Sequence, residues 1–327
     1  MDRSVTHRPA WAPVAATLLA AATLVVGPAA ATPRCFGAAA RDPEHPCRNP
    51  RLERSVEPSL ADAAIRPDLP CTTLEMDGRG EPIDGVMRVC AFGSPPAAAT
   101  ATVALVGDSH AMTARAMVDV VARGKRWRAV AMTRASCPLS AAMLPPRTRA
   151  RDRAGCRRWR HRVLAWFGRH PEVKIVFVAE FPSPRRSAGS GRTGLRADEA
   201  GYLRAWRALP PSVSHIVVIR DNPRFTDGTL DCLRRALARR ARPGPACARP
   251  RPAALPPDPA ALAAQRVRSR RVQVADMTPF MCDQRLCYPV VGGVLVVHDP
   301  THMTRLFATT LGPYLLRRVD RLARAWR

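Results

Sequence analysis

The stretch VALVGDSH, residues 103–110, indicates a strand, a tight turn and the start of a helix. Its first four residues are apolar and run without a polar break, as in a strand that is buried on both faces of a sheet. Gly107 permits the turn. The residues that follow place apolar side chains at helical spacing: Ala114, Met117, Val118 and Val121. A strand, turn and helix in this order carry a polar side chain to the carboxyl end of a sheet, where α/β proteins bind ligands.

Ser109 is a candidate nucleophile because it lies at the positive end of the helix dipole. Main-chain N–H groups at a helix N-terminus stabilise anions, and the oxyanion that forms during acyl transfer needs such donors. We therefore expect the N–H of Ser109 to contribute to an oxyanion hole. The alternative is that Asp108 or Ser109 only caps the helix, because both residue types favour that position.

A polar stretch near the C-terminus, HDPTHMT at residues 298–304, supplies a candidate base together with an acid that orients it. The carboxylate of Asp299 can accept a hydrogen bond from one imidazole nitrogen of His302, which leaves the other nitrogen free to take the proton of Ser109. The alternative is an ordinary polar turn, for which an aspartate before a proline is also suited. We expect neither a metal nor a cofactor.

Together, the two stretches resemble the SGNH hydrolase superfamily. The closer resemblance is to the SGNH domain that is found fused to, or working beside, acyltransferase-3 membrane proteins that O-acylate envelope polysaccharides. It covers roughly residues 85–320. The further segments that fit this domain are VCAFG at 89–93, SCP at 136–138, DNPR at 221–224 and ADMTPFMC at 275–282.

The resemblance implies a triad of Ser109, His302 and Asp299 in an exported serine esterase or O-acyltransferase. Its substrate would be an envelope or extracellular glycan that carries O-acyl groups, in particular O-acetyl, and a membrane acyltransferase is the implied partner. The chain departs from the superfamily at the oxyanion hole, since no Gly-x-Asn follows the third predicted strand. Asn222, after the next strand, is then the side-chain candidate for an oxyanion donor.

The alternative function is a non-catalytic protein that keeps the SGNH scaffold and binds anionic envelope polymers. A net charge of +26, from 52 Lys and Arg against 26 Asp and Glu, suits a polyanionic partner. However, Lys125 and Lys174 are the only lysines, and such an arginine bias also follows from a GC-rich genome. Nucleic acid is not expected as a partner, because a signal peptide would export the chain away from it.

Residues 1–31 are expected to form that signal peptide. A weakly basic start precedes an apolar run from Val14 to Val26, and AAA at residues 29–31 provides a cleavage site. The run is shorter than the ~20 residues of a transmembrane helix, and an uncleaved N-terminal anchor is the alternative. The expected location is therefore secreted, periplasmic or in the cell envelope.

Ten cysteines agree with export, because disulfides persist in oxidising compartments. The sequence does not fix their connectivity. We favour pairing between neighbours, since each such pair brackets a loop rich in Pro, Gly or Arg. These neighbouring pairs are Cys35/Cys47, Cys71/Cys90, Cys137/Cys156, Cys232/Cys247 and Cys282/Cys287.

Strands and helices that alternate after residue 100 predict a mostly parallel sheet covered on both faces. The fold class is thus a disulfide-stapled three-layer α/β/α sandwich of the SGNH or flavodoxin-like type. The predicted strands after VALV are 127–133, 173–179, 215–220 and 272–276. The predicted helices are 110–121, 156–169, 198–209, a short one near 230–240, and a last helix capped by Thr304.

Three segments are expected along the mature chain. Residues 32–100 have little periodicity and are expected to form an irregular N-terminal extension stapled by disulfides. Residues 101–327 form the α/β domain. Within it, residues 221–265 are rich in Arg, Pro and Ala and are interpreted as an insertion.

Overall fold

The protein is built on a mostly parallel sheet with helices on both faces. The computed structural model describes residues 32–64, 72–73, 89–142, 144, 148–182 and 191–326. The strands are β1 Thr72–Thr73, β2 Val89–Gly93, β3 Ala101–Gly107, β4 Trp127–Thr133, β5 Ile175–Ala179, β6 His215–Ile219, β7 Arg249–Pro250, β8 Val272–Ala275, β9 Leu286–Cys287, β10 Val290–Val291 and β11 Val294–Leu295. The helices are α1 Ser109–Gly124, α2 Ala150–Arg169, α3 Gly191–Arg207, α4 Thr229–Ala238, α5 Pro243–Ala246, α6 Arg251–Ala254, α7 Pro259–Val267 and α8 Arg305–Arg324.

Short 3-10 helices complete the described secondary structure, at Gly37–Arg41, Pro50–Leu52, Asp62–Ala64, Pro96–Ala98 and Thr278–Phe280. The chain from Pro33 to Arg327 forms one compact unit. The expected signal peptide, residues 1–31, lies outside the described residues. In the described part of the chain, no helix is long and apolar enough to cross a membrane.

The central sheet has the strand order β1-β2-β4-β3-β5-β6-β8. Strand β3 pairs in parallel with β4 on one side and with β5 on the other. Strands β6 and β8 extend the parallel part, whereas β2 pairs antiparallel with β4, and β1 pairs antiparallel with β2. After β3, the chain adds β4 on one side of the sheet and then β5, β6 and β8 on the other side. The crevice beyond the carboxyl end of β3 is a topological switch point, where open α/β sheets bind ligands.

The side chains of β3 alternate between two cores. Val103 and Leu105 face the first core, which contains α1 and α8, and Ala104 and Val106 face the second. The second core contains α2, α3 and α7. Both faces of the sheet are thus covered, which explains the unbroken apolar run of this strand and confirms the three-layer fold class.

The long elements lie where the pattern predicts them. Strand β4 has the predicted bounds, and the other predicted strands and helices overlap α1, α2, α3, α4, β5, β6 and β8. Thr304 caps α8, since its side chain accepts a hydrogen bond from the N–H of Phe307 at 3.1 Å. The predicted inner face of that helix is buried: Phe307, Leu311, Leu315, Val319 and Leu322.

Two parts of the fold differ from the expected outline. Strand β2 falls within residues 32–100, the expected irregular extension, yet all five of its residues pair with β4 in the main sheet. Helix α7 begins within residues 221–265, the expected insertion, and packs Ala260, Ala263 and Ala264 into the second core. This helix has only nine residues and begins at a proline within sequence rich in Pro and Ala, so its apolar pattern is too short to stand out.

Disulfides join neighbouring cysteines wherever both partners lie in the described residues. These pairs are Cys35–Cys47, Cys137–Cys156, Cys232–Cys247 and Cys282–Cys287. Neighbour pairing is therefore confirmed for these four. Cys71, the expected partner of Cys90, lies outside the described residues.

Gly107 allows β3 and β5 to approach closely just before the nucleophile candidate. Its φ is +153°, and a Cβ atom built at this position would lie 2.0 Å from the carbonyl oxygen of Ala179. We expect Gly107→Ala to lower the free energy of unfolding by about 3 kcal/mol or more, because the clash is with main chain that is fixed in the sheet. Urea denaturation measures this loss.

Gly168→Ala is the matched control, since a Cβ atom on this residue of α2 meets nothing within 4 Å. Alanine is the better helix former, so this variant should gain about 0.5–1 kcal/mol. Equal stabilities of the two variants would contradict the close approach at Gly107.

Candidate active site

The turn between β3 and α1 is held by the carboxylate of Asp108. This side chain is 1% exposed and accepts a hydrogen bond from the N–H of His110 at 2.9 Å. It also accepts from the N–H of Phe181, which follows β5, at 3.1 Å. Asp108 is thus the N-cap of α1 and ties the helix start to the end of the neighbouring strand.

Ser109 is the first residue of α1, so the capping alternative applies to Asp108 and not to the serine. As the first helical residue, Ser109 has a main-chain N–H that finds no acceptor within the helix. Its hydroxyl lies 2.9 Å from Nε2 of His302. The two residues are 193 positions apart in the sequence.

His302 is oriented by Asp299. Its Nδ1 lies 2.7 Å from Oδ2 of the carboxylate. The other carboxylate oxygen accepts from the N–H groups of Thr301 at 2.9 Å and of His302 at 2.8 Å. The three side chains expected to act together, Ser109, His302 and Asp299, therefore form a continuous chain of hydrogen bonds.

The loop that carries His302 is a closed turn in front of α8. Val297 and Met303 form an antiparallel bridge, and the N–H of His298 donates to the carbonyl of His302 at 3.0 Å. Asp299 fixes the interior of this turn. Although burial raises its pKa, hydrogen bonds from the His302 ring and from two main-chain N–H groups outweigh that effect and hold the pKa well below the ordinary value. The carboxylate therefore stays ionised beside the imidazole.

Two further histidines lie beside His302. The ring of His298 is parallel to that of His302, with centroids 5.8 Å apart, although simple strand alternation would direct it away. The ring of His110 lies 4.8 Å from that of His302 on centroids and is 3% exposed at the residue level. His110 Nδ1 lies 2.6 Å from Oδ1 of Asp221. This buried pair was not apparent in the sequence, because its members are 111 residues apart.

Asn222 does not present a free amide. Its Nδ2 donates to the carbonyl oxygen of Thr301 at 2.8 Å and to that of Pro223 at 3.1 Å. Both amide hydrogens are therefore used within the protein, and the expected oxyanion role of Asn222 does not fit this geometry. The side chain is 6% exposed and holds the loop that carries His302.

Comparison with known proteins assigns the chain to a family. A family model described as the SGNH domain fused to AT3 domains matches residues 70–317. The chain belongs to the SGNH family. Its match begins ahead of β2, which agrees with the place of that strand in the main sheet.

One solved structure that this SGNH chain resembles is the periplasmic domain of a lipopolysaccharide acetyltransferase from Salmonella ser. Paratyphi A. The TM-score is 0.51 at 12% identity, and the alignment covers 68% of this chain and 85% of that one. At this identity the likeness concerns the fold. Among curated proteins, no sequence matches the chain significantly. Within the described residues, no group of three or more His, Cys, Asp or Glu side chains is arranged to hold a metal ion.

Asp258 is hydrogen-bonded to Asp221 beside this site, and we expect it to make the free energy of unfolding depend on pH. Its Oδ2 accepts from the N–H of Asp221, and burial raises the pKa of Asp258 from 3.8 to about 6. Between these values the native state keeps a proton that the unfolded chain has released. The contribution of Asp258 to the free energy of unfolding therefore decreases as pH rises from about 4 to about 6.

Asp258→Asn removes this titration and keeps a side chain that can cap α7. The difference in unfolding free energy between the parent and the variant should change by about 2–3 kcal/mol across that window, in favour of the variant at the higher pH. Urea denaturation at pH 4 and pH 7 measures it, with the exposed Asp320→Asn as the control. Parallel stability curves for parent and Asp258→Asn would contradict the raised pKa.

Proposed function

We propose that this SGNH protein is an exported serine esterase or O-acyltransferase that acts on O-acyl groups, in particular O-acetyl, of envelope or extracellular glycans. The observation that carries the proposal is the 2.9 Å contact between Ser109 Oγ and His302 Nε2 at the switch point of the sheet. The family description, an SGNH domain fused to AT3 domains, supports acyl-group modification and a membrane acyltransferase as partner. The disulfides support a location outside the cytoplasm.

The geometry supports acyl transfer through a covalent intermediate. His302 Nε2 takes the proton of Ser109 as Oγ attacks the ester carbonyl carbon. The carbonyl oxygen becomes an oxyanion, for which the N–H of Ser109 and the start of α1 supply positive potential. When the tetrahedral intermediate collapses, the imidazolium returns the proton to the departing alcohol and leaves an acyl group on Ser109.

The second half of the reaction repeats these steps with a new acceptor. His302 removes a proton from a water molecule or from a sugar hydroxyl, whose oxygen then attacks the acyl-serine carbonyl. Water gives hydrolysis and a sugar hydroxyl gives transfer. Asp299 accepts from Nδ1–H throughout and stabilises the imidazolium.

The first test asks whether Ser109 is an activated nucleophile. We expect a fluorophosphonate probe to label the mature protein at Ser109, as read by peptide mass spectrometry, and not to label Ser109→Ala. The parent should also hydrolyse a small acetyl ester, whereas Ser109→Ala should not. A parent protein that is folded, unlabelled and inactive would favour the alternative function, a non-catalytic binder of anionic envelope polymers.

The second test separates the base from its orienting acid. His302→Ala should lower kcat about as much as Ser109→Ala does, because members of one catalytic unit fail together. Asp299→Ala should leave a measurable remainder, since the imidazole keeps its basic nitrogen; in a comparable unit the acid alone cost about 10²-fold less than the serine or histidine. A His302→Ala enzyme with near-parent kcat would rule out His302 as the base.

A further inference from the structure

A segment shortly after β6, residues 221–225, contacts both the part of the chain that carries Ser109 and the part that carries His302. Asp221, two residues after the end of β6, binds the ring of His110, which is next to the candidate nucleophile in sequence. Asn222 donates to the carbonyl of Thr301, which is next to the base. The N–H of Phe225 donates to the carbonyl of Pro300 at 2.7 Å. One short segment thus contacts the helix of Ser109 and the turn of His302.

The segment is itself firmly placed. Only Arg220 separates it from β6, an interior strand of the sheet, and the N–H of Asp221 donates to Oδ2 of Asp258 at 3.1 Å. Asp258 caps α7 through the N–H of Ala261 at 3.0 Å. All of these groups are buried, so water does not compete for their hydrogen bonds. These hydrogen bonds therefore hold the segment in one conformation.

Burying the Asp221 carboxylate costs folding free energy, and packing of the core does not require a carboxylate at this position. Its side chain is 6% exposed, and Oδ2 has no hydrogen-bond partner within the described residues. A buried polar atom left without a partner destabilises the folded state. Such a cost is expected where a buried polar group serves the site and not the core.

We infer that Asp221–Phe225 is a brace that sets the distance between Ser109 and His302, with Asp221 and Asn222 as its positioning residues. Asp221 holds the His110 ring against the His302 ring, whose centroids are 4.8 Å apart. Asn222 holds the His302 turn from the other end. Neither side chain takes part in proton transfer. The inference rests on the proposed function for its kinetic readout and has a second readout that does not.

The kinetic test uses side chains of matched shape and the mature full-length protein. Asp221→Asn and Asn222→Asp should each lower kcat for a small acetyl ester about tenfold or more, with KM changed less than twofold, because the ester itself does not touch the brace. His110→Phe fills the site but cannot donate to Asp221, and it should lose a similar factor. The double variant His110→Phe/Asp221→Asn should be no worse than His110→Phe alone, since without the His110 donor the side chain at 221 no longer acts through this hydrogen bond.

Two controls separate positioning from loss of stability. His110→Asn keeps a side-chain N–H near the place of Nδ1 and should restore most of the kcat that His110→Phe loses. Asp42→Asn removes a carboxylate that is 4% exposed and pairs with Arg317 of α8. It should lower the melting temperature as Asp221→Asn does, but leave kcat unchanged.

The second readout is the NMR spectrum of the imidazole nitrogens, with His302 assigned from a His302→Gln sample. Asp221→Asn and Asn222→Asp should shift the His302 resonances, whereas Asp42→Asn should not. A parent protein that cleaves no ester would refute the proposed function and leave this spectral comparison to decide the brace. Parent-like kcat and His302 resonances in both brace variants, or a His110→Asn enzyme as impaired as His110→Phe, would overturn the brace.

Discussion

The buried carboxylate of Asp108 is the contact on which the site depends. By accepting from the N–H groups of His110 and Phe181, it fixes the start of α1 against the end of β5. Because the aspartate satisfies the helix start, the hydroxyl of Ser109 is not needed as a cap and lies against His302 instead. The adjacent Gly107 makes this possible, since any side chain there would meet the carbonyl of Ala179.

Aspartates of this chain show how partners decide the charge of a buried group. The pKa of Asp299 is lowered because hydrogen bonds from the His302 ring and from two main-chain N–H groups outweigh the effect of burial. Asp258 also accepts two main-chain N–H groups, yet burial prevails and raises its pKa to about 6. Asp299 is half-buried and has the imidazole as a partner, whereas Asp258 is buried and lies near the carboxylate of Asp221, which raises its pKa further. The His302 ring therefore helps to keep the Asp299 carboxylate ionised, as the proposed mechanism requires of its acid.

Local patterns in the sequence predicted the elements that bury a continuous face. Two cases are the run from Val103 to Val106 and the stripe from Phe307 to Leu322. In both, the apolar character of each side chain predicts that it is buried. Helix α7 was missed because it is short and begins at Pro259, within sequence rich in Arg, Pro and Ala. The pairing of Ser109 with His302 came from a resemblance, not from spacing, because nothing local joins residues 193 positions apart. His110 and Asp221 both lie in segments that carry the resemblance, but nothing local joins the two, so only the folded chain brings their pairing into view.

Asn222 shows that the type of a residue at the carboxyl end of a strand does not by itself decide what its side chain does. An asparagine at the carboxyl end of a parallel strand is well placed to donate to a substrate, and also well placed to hold a neighbouring loop. The choice depends on which acceptors the fold brings within reach. Here the turn in front of α8 brings the carbonyl of Thr301 to 2.8 Å, and a buried amide gains more from a fixed acceptor than from an open site. The side chain therefore holds the turn that carries His302. The oxyanion would then rely on main-chain donors at the start of α1, where the helix already directs its N–H groups toward the nucleophile.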